Sequence, residues 1–218
     1  MLYPFTGSIQ QYIERVEKRQ EAERCRPSHC PQCESREPMV CHGFYARTVE
    51  DLGQGFVIRV RRYFCAACRR TVSLLPEFVL PYLRFTILTM GLFLKARLLW
   101  RLTLKAAAET ARQAGMPYQR GQQWVDRFRR QAEGLSASLT ALVGPIEGPD
   151  FIARAIGMLD KAGWIEAHRF LFAVLRVHLL GWPHFLAPAG IPVTMGNTVW
   201  ERVGCPQSTC MDSESSPA

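Results

Sequence analysis

The residues with the most chemical content in this 218-residue chain are two CxxC pairs, Cys30-Pro-Gln-Cys33 and Cys65-Ala-Ala-Cys68. Each pair lets two sulfurs converge on one ion from a tight turn. Two such turns supply the four tetrahedral ligands that a structural Zn2+ prefers. The 31 residues between the pairs leave room for a β-hairpin that carries the second knuckle back to the first, the layout of a zinc ribbon. A thioredoxin-like redox motif would instead place one CxxC near a βαβ pattern, and neither feature is present. Four protein ligands leave the ion no open position, so its task would be to fold the ribbon and not to activate water. Arg69 and Arg70 follow the second knuckle and offset part of the thiolate charge. Cys25, His29, Cys41 and His42 lie near the knuckles and read as bystanders, because a ribbon needs only four ligands. Cys205 and Cys210 lack two further partners and read as free thiols.

A second constellation spans residues 103–131. A helix-turn-helix needs a small residue where its helices cross, a residue tolerant of positive φ at the turn, and then an apolar anchor. Ala111, Gly115 and Met116 stand at those spacings. Trp124, Val125 and Phe128 give the second helix a buried stripe, and Tyr118, Gln119, Arg120, Gln122, Gln123 and Arg127 are expected on the opposite face. Gln and Arg pair bidentately with adenine and guanine edges, so this helix would lie in a major groove. Lys105, Arg129 and Arg130 would more naturally meet phosphates. An ordinary helical hairpin with a solvated basic face has a similar pattern, and Gly121 inside the second helix costs helicity.

These groups need elements to hold them. Ile9, Tyr12, Ile13 and Val16 follow helical spacing, which predicts an amphipathic N-terminal helix over residues 8–24 with Ser8 as N-cap, within a segment 1–27. Residues 28–80 form the expected ribbon. Val57, Ile58, Val60 and Tyr63-Phe64 alternate with Arg59 and Arg61 as in a half-exposed strand, and Asp51-Leu52-Gly53-Gln54-Gly55 reads as a turn. Residues 84–133 form the helix-turn-helix region: an apolar helix at 86–101, an alanine-rich one at 103–114, a break at Gly115-Met116-Pro117 and a basic helix at 118–133. A linker at Gly144-Pro145 and Gly148-Pro149 precedes a helical segment at 150–186. The tail 187–218 is rich in Pro, Gly, Ser and Thr and reads as disordered. The fold class is α+β, a small β zinc ribbon followed by a mostly α-helical region.

The net charge is +8, of which residues 84–133 carry +7. A polyanion would be drawn there first. No run of about 18 apolar residues appears, so a membrane span is not expected. The segments Phe85–Leu94 and Phe170–Leu186 read as buried helix. No export signal is visible. Eight cysteines in such a chain point to metal or free thiols in a reducing compartment, and to a cytoplasmic location. There is no HExxH, GxSxG, P-loop or GxGxxG, so no enzymatic activity is expected.

The CPxC knuckle, the His42–Arg47 stretch (HGFYAR), the Cys65–Thr71 run (CAACRRT), the Leu74–Tyr82 run (LLPEFVLPY) and the following helix-turn-helix together resemble the N-terminal zinc-ribbon and helix-turn-helix module of bacterial insertion-sequence transposases. The resemblance covers residues 28–133 and extends to short stand-alone relatives. It implies a structural zinc beside a module that reads double-stranded DNA at element ends. Such transposases continue into an RNase H-like domain with spaced Asp, Asp and Glu. Here Asp150, Asp160 and Glu166 are too close together, sit in a helical pattern and read as solvated charges. The expectation is a non-catalytic DNA-binding protein of a mobile element, acting in end recognition or repression, with a transposase or recombinase subunit as a second partner and a homodimer compatible with the sequence. A protein-interaction adaptor, or a transposase fragment without its catalytic domain, are the alternatives.

Overall fold

A computed structural model describes residues 1–3, 5–16, 18 and 24–180. The expected tail, with Cys205 and Cys210, lies outside the described residues, as do the last residues of the 150–186 segment. The described chain is α+β, with a four-stranded sheet and six helices.

The sheet contains β1 (Leu2–Tyr3), β2 (Val40–Asp51), β3 (Gln54–Cys65) and β4 (Arg70–Pro76) in the order β1-β4-β3-β2. β2, β3 and β4 are antiparallel neighbours, and β1 adds to β4 in parallel. The hairpin tip is Leu52-Gly53, with both residues at positive φ (45° and 87°). That is the two-residue turn whose twist matches the flanking strands, and glycine takes its second position at no steric cost. Ile58, Val60 and Tyr63 of β3 are fully buried, whereas Val57, expected to follow them inward, is 62% exposed. It stands opposite Thr48 on the outer face of the hairpin.

α1 (Ile9–Val16) packs beside this sheet. Ser8 caps it as expected, its hydroxyl accepting from the Gln11 amide at 3.2 Å. The rest of the expected 8–24 helix falls mostly on residues outside the description. Tyr12 is buried against Tyr3, Phe5 and Phe78, edge to face, and its hydroxyl donates to the Arg59 carbonyl at 2.9 Å. The N-terminal segment therefore shares the ribbon's core.

The second core is helical. α2 (Ile87–Leu98), capped by Thr86, runs through its middle, with Phe93, Leu94 and Ala96 fully buried. α3 (Leu104–Thr110), capped by Thr103, and α4 (Tyr118–Val143) pack against it. α4 continues ten residues past 133, where the sequence reading ended it. Ala132, Leu135 and Leu139 extend its buried stripe, so nothing in the packing stops the helix before Gly144, at φ 77°. α5 (Phe151–Ala162) and α6 (Trp164–Leu175) pack on α2 and α4. The segment 84–133 and the described part of the later one, residues 150–180, separate in sequence, thus share one core. The apolar run from Phe170 does not stay helical, because α6 ends at Arg176 in the left-handed conformation. No described helix is long and apolar enough to cross a membrane.

Candidate metal centre and nucleic-acid interface

The hairpin brings the two knuckles together at its open end. The sulfurs of Cys30, Cys33, Cys65 and Cys68 all lie within 4.8 Å of one another, and the Cys30–Cys68 and Cys33–Cys65 pairs stand at 3.7 Å. All four cysteines are free of disulfides. A tetrahedron with Zn–S bonds of about 2.3 Å has edges of about 3.8 Å, so the spacing fits one tetrahedral ion. The two knuckles repeat one turn. In each, the residue after the second cysteine takes positive φ, Glu34 at 58° and Arg69 at 55°. The Cys30 amide closes the first knuckle on the Ser35 carbonyl at 2.9 Å.

The electrostatics ask for a cation. The Cys68 amide points at the Cys65 sulfur and, with the neighbouring thiols, holds Cys65 down at about 7. At Cys33 the Ser35 amide favours the thiolate, but lost hydration and the other three sulfurs outweigh it and hold the thiol up at about 12. The thiolate of Cys65 forms readily while those of Cys33 and Cys68 are opposed, the behaviour of clustered like charges without a counter-ion. A divalent ion removes that opposition. Of the residues set aside as bystanders, none joins the cluster among the described residues. His42 lies against Phe64 with the rings tilted by 34°, His29 pairs with the Ser28 hydroxyl, and Cys41 lies 3.8 Å from an Arg26 nitrogen.

The opposite end of the same hairpin, roughly 35 Å away along strands that rise about 3.3 Å per residue, docks on the helices. Thr86 Oγ1 donates to Asp51 Oδ1, the Leu52 amide donates to Thr89 Oγ1 at 2.9 Å, and Arg84 pairs with Glu50. A Cβ on Gly53 would stand 3.0 Å from the Arg112 carbonyl oxygen, so the hairpin tip rests on the backbone of the turn between α3 and α4. No local pattern in the sequence announces this contact, because it joins residues 59 positions apart.

That turn differs from expectation in one respect. Gly115 does not supply the positive φ; Arg112 does, at 55°. The chain reverses immediately after the buried Ala111, three residues earlier than the glycine suggested. Gly121 has a packing role that accounts for its place in a helix. A Cβ there would meet Phe93 Cζ at 2.8 Å, so α2 and α4 cross at this glycine.

Trp124, Val125 and Phe128 are buried as expected, with Trp124 edge to face on Phe85 and Phe93. Lys105, Tyr118, Gln119, Gln123, Arg129 and Arg130 are exposed, and Arg120, Gln122 and Arg127 are half-buried. They do not form one strip. At about 100° per residue, Gln119, Gln123 and Arg130 share the outermost line of α4. Tyr118, Gln122 and Arg129 fall on one flank, and Arg120 and Arg127 on the other. Gln122 donates to Asp126 at 2.8 Å, which places a carboxylate beside that face. Partial burial, and then the Arg130 charge, lower the Arg127 pKa.

The three carboxylates read as solvated charges have structural partners. Asp150 caps α5 through the Ala153 amide, Asp160 accepts from Trp164 Nε1 and pairs with Lys95, and Glu166 pairs with Arg169. Sequence reasoning missed a buried network beside them. Glu77, 1% exposed, takes a bidentate pair from Arg169, and His168, fully buried, lies 3.0 Å from the Glu77 carbonyl and 2.9 Å from His178. Only tertiary packing joins α6 to the end of β4.

The family profile of a domain of unknown function (DUF6431) matches residues 30–112. The matched segment begins at the first cysteine of the cluster, ends at the residue against which Gly53 packs, and leaves α4 outside. No curated protein and no solved structure matches this chain.

Proposed function

We propose that this chain is a non-catalytic, zinc-dependent binder of double-stranded DNA belonging to a mobile element, with α4 as the helix that enters the major groove. One observation carries the reading. α4 buries Trp124, Val125 and Phe128 and turns Gln119, Gln123 and Arg130 outward along one line near its N-terminal half, the part of a recognition helix that meets base edges. Lys105 on α3 is exposed and available for phosphate. Zn2+ held by Cys30, Cys33, Cys65 and Cys68 fixes the ribbon, and the ribbon's far tip braces the turn that aims α4. The ion acts through folding.

The test is a gel shift with salt titration. Log K is expected to fall with log salt by about 0.9 per phosphate neutralised; a slope near zero rejects DNA binding. Gln123→Ala relaxes base preference, and Arg130→Ala weakens all sequences alike and reduces the salt slope by about 1. The role at element ends, beside a transposase or recombinase subunit, predicts an Asp-Asp-Glu recombinase in the neighbouring reading frame. A second reading, protein association as an adaptor or homodimer, is favoured by the exposed apolar Leu88, Leu99 and Trp100 on α2 and at its end. It predicts a concentration-dependent mass in sedimentation that Leu88→Glu abolishes.

A further inference from the structure

A second basic surface lies on the ribbon side of the molecule, away from α4. It is a cleft of about 1200 Å³ between the N-terminal segment, the first knuckle, the open face of β2–β4 and the end of α6. None of its described lining residues comes from α2, α3 or α4. Its walls include Arg15, Arg24, Arg26, Arg47, Arg62 and Arg176, and the single carboxylate among the described lining residues is Glu34. This volume exceeds the roughly 300–1,000 Å³ of a small-molecule pocket, which leaves room for more than a single metabolite.

Aromatic rings are set among the guanidinium groups. Arg62 lies over the Tyr45 ring at 6.0 Å, and Arg176 over the Phe172 ring at 5.9 Å. The Arg62 Nε is buried without a hydrogen-bond partner among the described residues, a donor that an anion would satisfy. Tyr82 is 69% exposed on the rim and holds a left-handed backbone, φ 61°. The Arg47 guanidinium enforces this conformation by donating to the Leu80 carbonyl at 2.6 Å and to the Leu83 carbonyl, on either side of the tyrosine. Arg47 thus clamps a loop whose apex presents a large ring outward, a conformation that a bulky residue adopts only when its surroundings impose it.

Interleaved arginines and aromatic planes in a concave groove are the chemistry that takes a phosphodiester backbone and stacks unpaired bases. An acidic peptide would use the arginines and leave the rings idle, and a duplex hides its base faces in the stack. We infer that this cleft binds a short stretch of single-stranded nucleic acid, with phosphates at Arg62 and Arg176 and bases stacked on Tyr45 and Tyr82. The site is independent of α4, so it stands or falls separately from the duplex-binding proposal.

The experiment is fluorescence anisotropy of the zinc-loaded full chain with labelled oligo-dT of about 12 nucleotides. Saturable binding is expected, with log K falling by about 0.7 per contacted phosphate for each tenfold rise in salt. The double variant Arg62→Ala/Arg176→Ala should lose at least about tenfold, and Tyr82→Leu about fivefold, while Arg130→Ala leaves oligo-dT binding unchanged. Absence of saturable binding overturns the inference. So does equal binding by the double variant with an unchanged melting curve, or equal competition by polyglutamate at matched charge. Ultraviolet crosslinking of oligo-dT to the unmodified chain requires no variant to fold: crosslinks at Tyr45 or Tyr82 support the site, and crosslinks confined to α4 refute it.

Discussion

Two glycines in α4 make opposite predictions from the same substitution. An alanine in a helix interior is better than glycine by about 0.8–1.0 kcal/mol, and both Gly121 and Gly134 are helical. Gly134 is exposed, and a Cβ there meets nothing within 4 Å. Gly134→Ala should therefore stabilise the protein by nearly the whole propensity gain. At Gly121 the new methyl would stand 2.8 Å from Phe93 Cζ and 3.3 Å from Met116 Cε, against an ordinary carbon contact of about 3.5–4.0 Å. Met116 is half-buried and can swing, but Phe93 is fully buried and edge to face with Trp124 at 5.4 Å. Its ring cannot retreat without opening the α2–α4 contact. Overpacking of this kind costs typically about 1–3 kcal/mol. Subtracting the helix gain leaves Gly121→Ala destabilising by about 1 kcal/mol, and the two variants about 2 kcal/mol apart. Urea unfolding of the zinc-loaded protein, followed by circular dichroism at constant m-value, measures the difference. If Gly121→Ala proves as stable as Gly134→Ala, α2 and α4 do not cross tightly at Gly121.

Three further outcomes follow from the same structure. Burial holds His168 at about 4, and burial together with the His168 charge holds His178 at about 3, both below the usual 6.5. The unfolded chain therefore binds more protons between these values. Stability is complete above about pH 6.5 and falls as pH drops toward 4, by up to about 1.4 kcal/mol per pH unit for each histidine; His178→Asn should make the slope shallower in urea titrations run at each pH. Arg169→Leu leaves the buried Glu77 carboxyl without its partner and should cost about 3–5 kcal/mol, whereas Arg169→Leu/Glu77→Leu should recover part of that loss, measured by the same unfolding assay. Chelation of the metal should expose four reactive thiols, abolish the ribbon's hydrogen-exchange protection and weaken duplex binding, while α2–α6, with a core of their own, keep their helical signal.

The sequence by itself determined the features written in short-range patterns. Paired CxxC spacing located the four cysteines that cluster, because a knuckle is a local turn and only the closing hairpin had to be assumed. Ser8 and the Trp124-Val125-Phe128 stripe were legible because capping and helical periodicity act within a few residues. Tertiary structure decided whatever depends on an approach between distant segments. Gly121 reads as a weak point of a helix until Phe93 is seen against it, and Gly115 reads as the turn residue until the hairpin tip is found resting on Arg112. α4 runs past 133 because α5 and α6 return to cover Leu135 and Leu139. The Glu77–Arg169 pair, the two buried histidines and the arginine-lined cleft are assembled from the N terminus, the first knuckle, β2, β3, β4, α6 and the residues that directly follow β4 and α6. Their spacing along the chain carries no signal, because the energy of each contact exists only once the two cores have packed together.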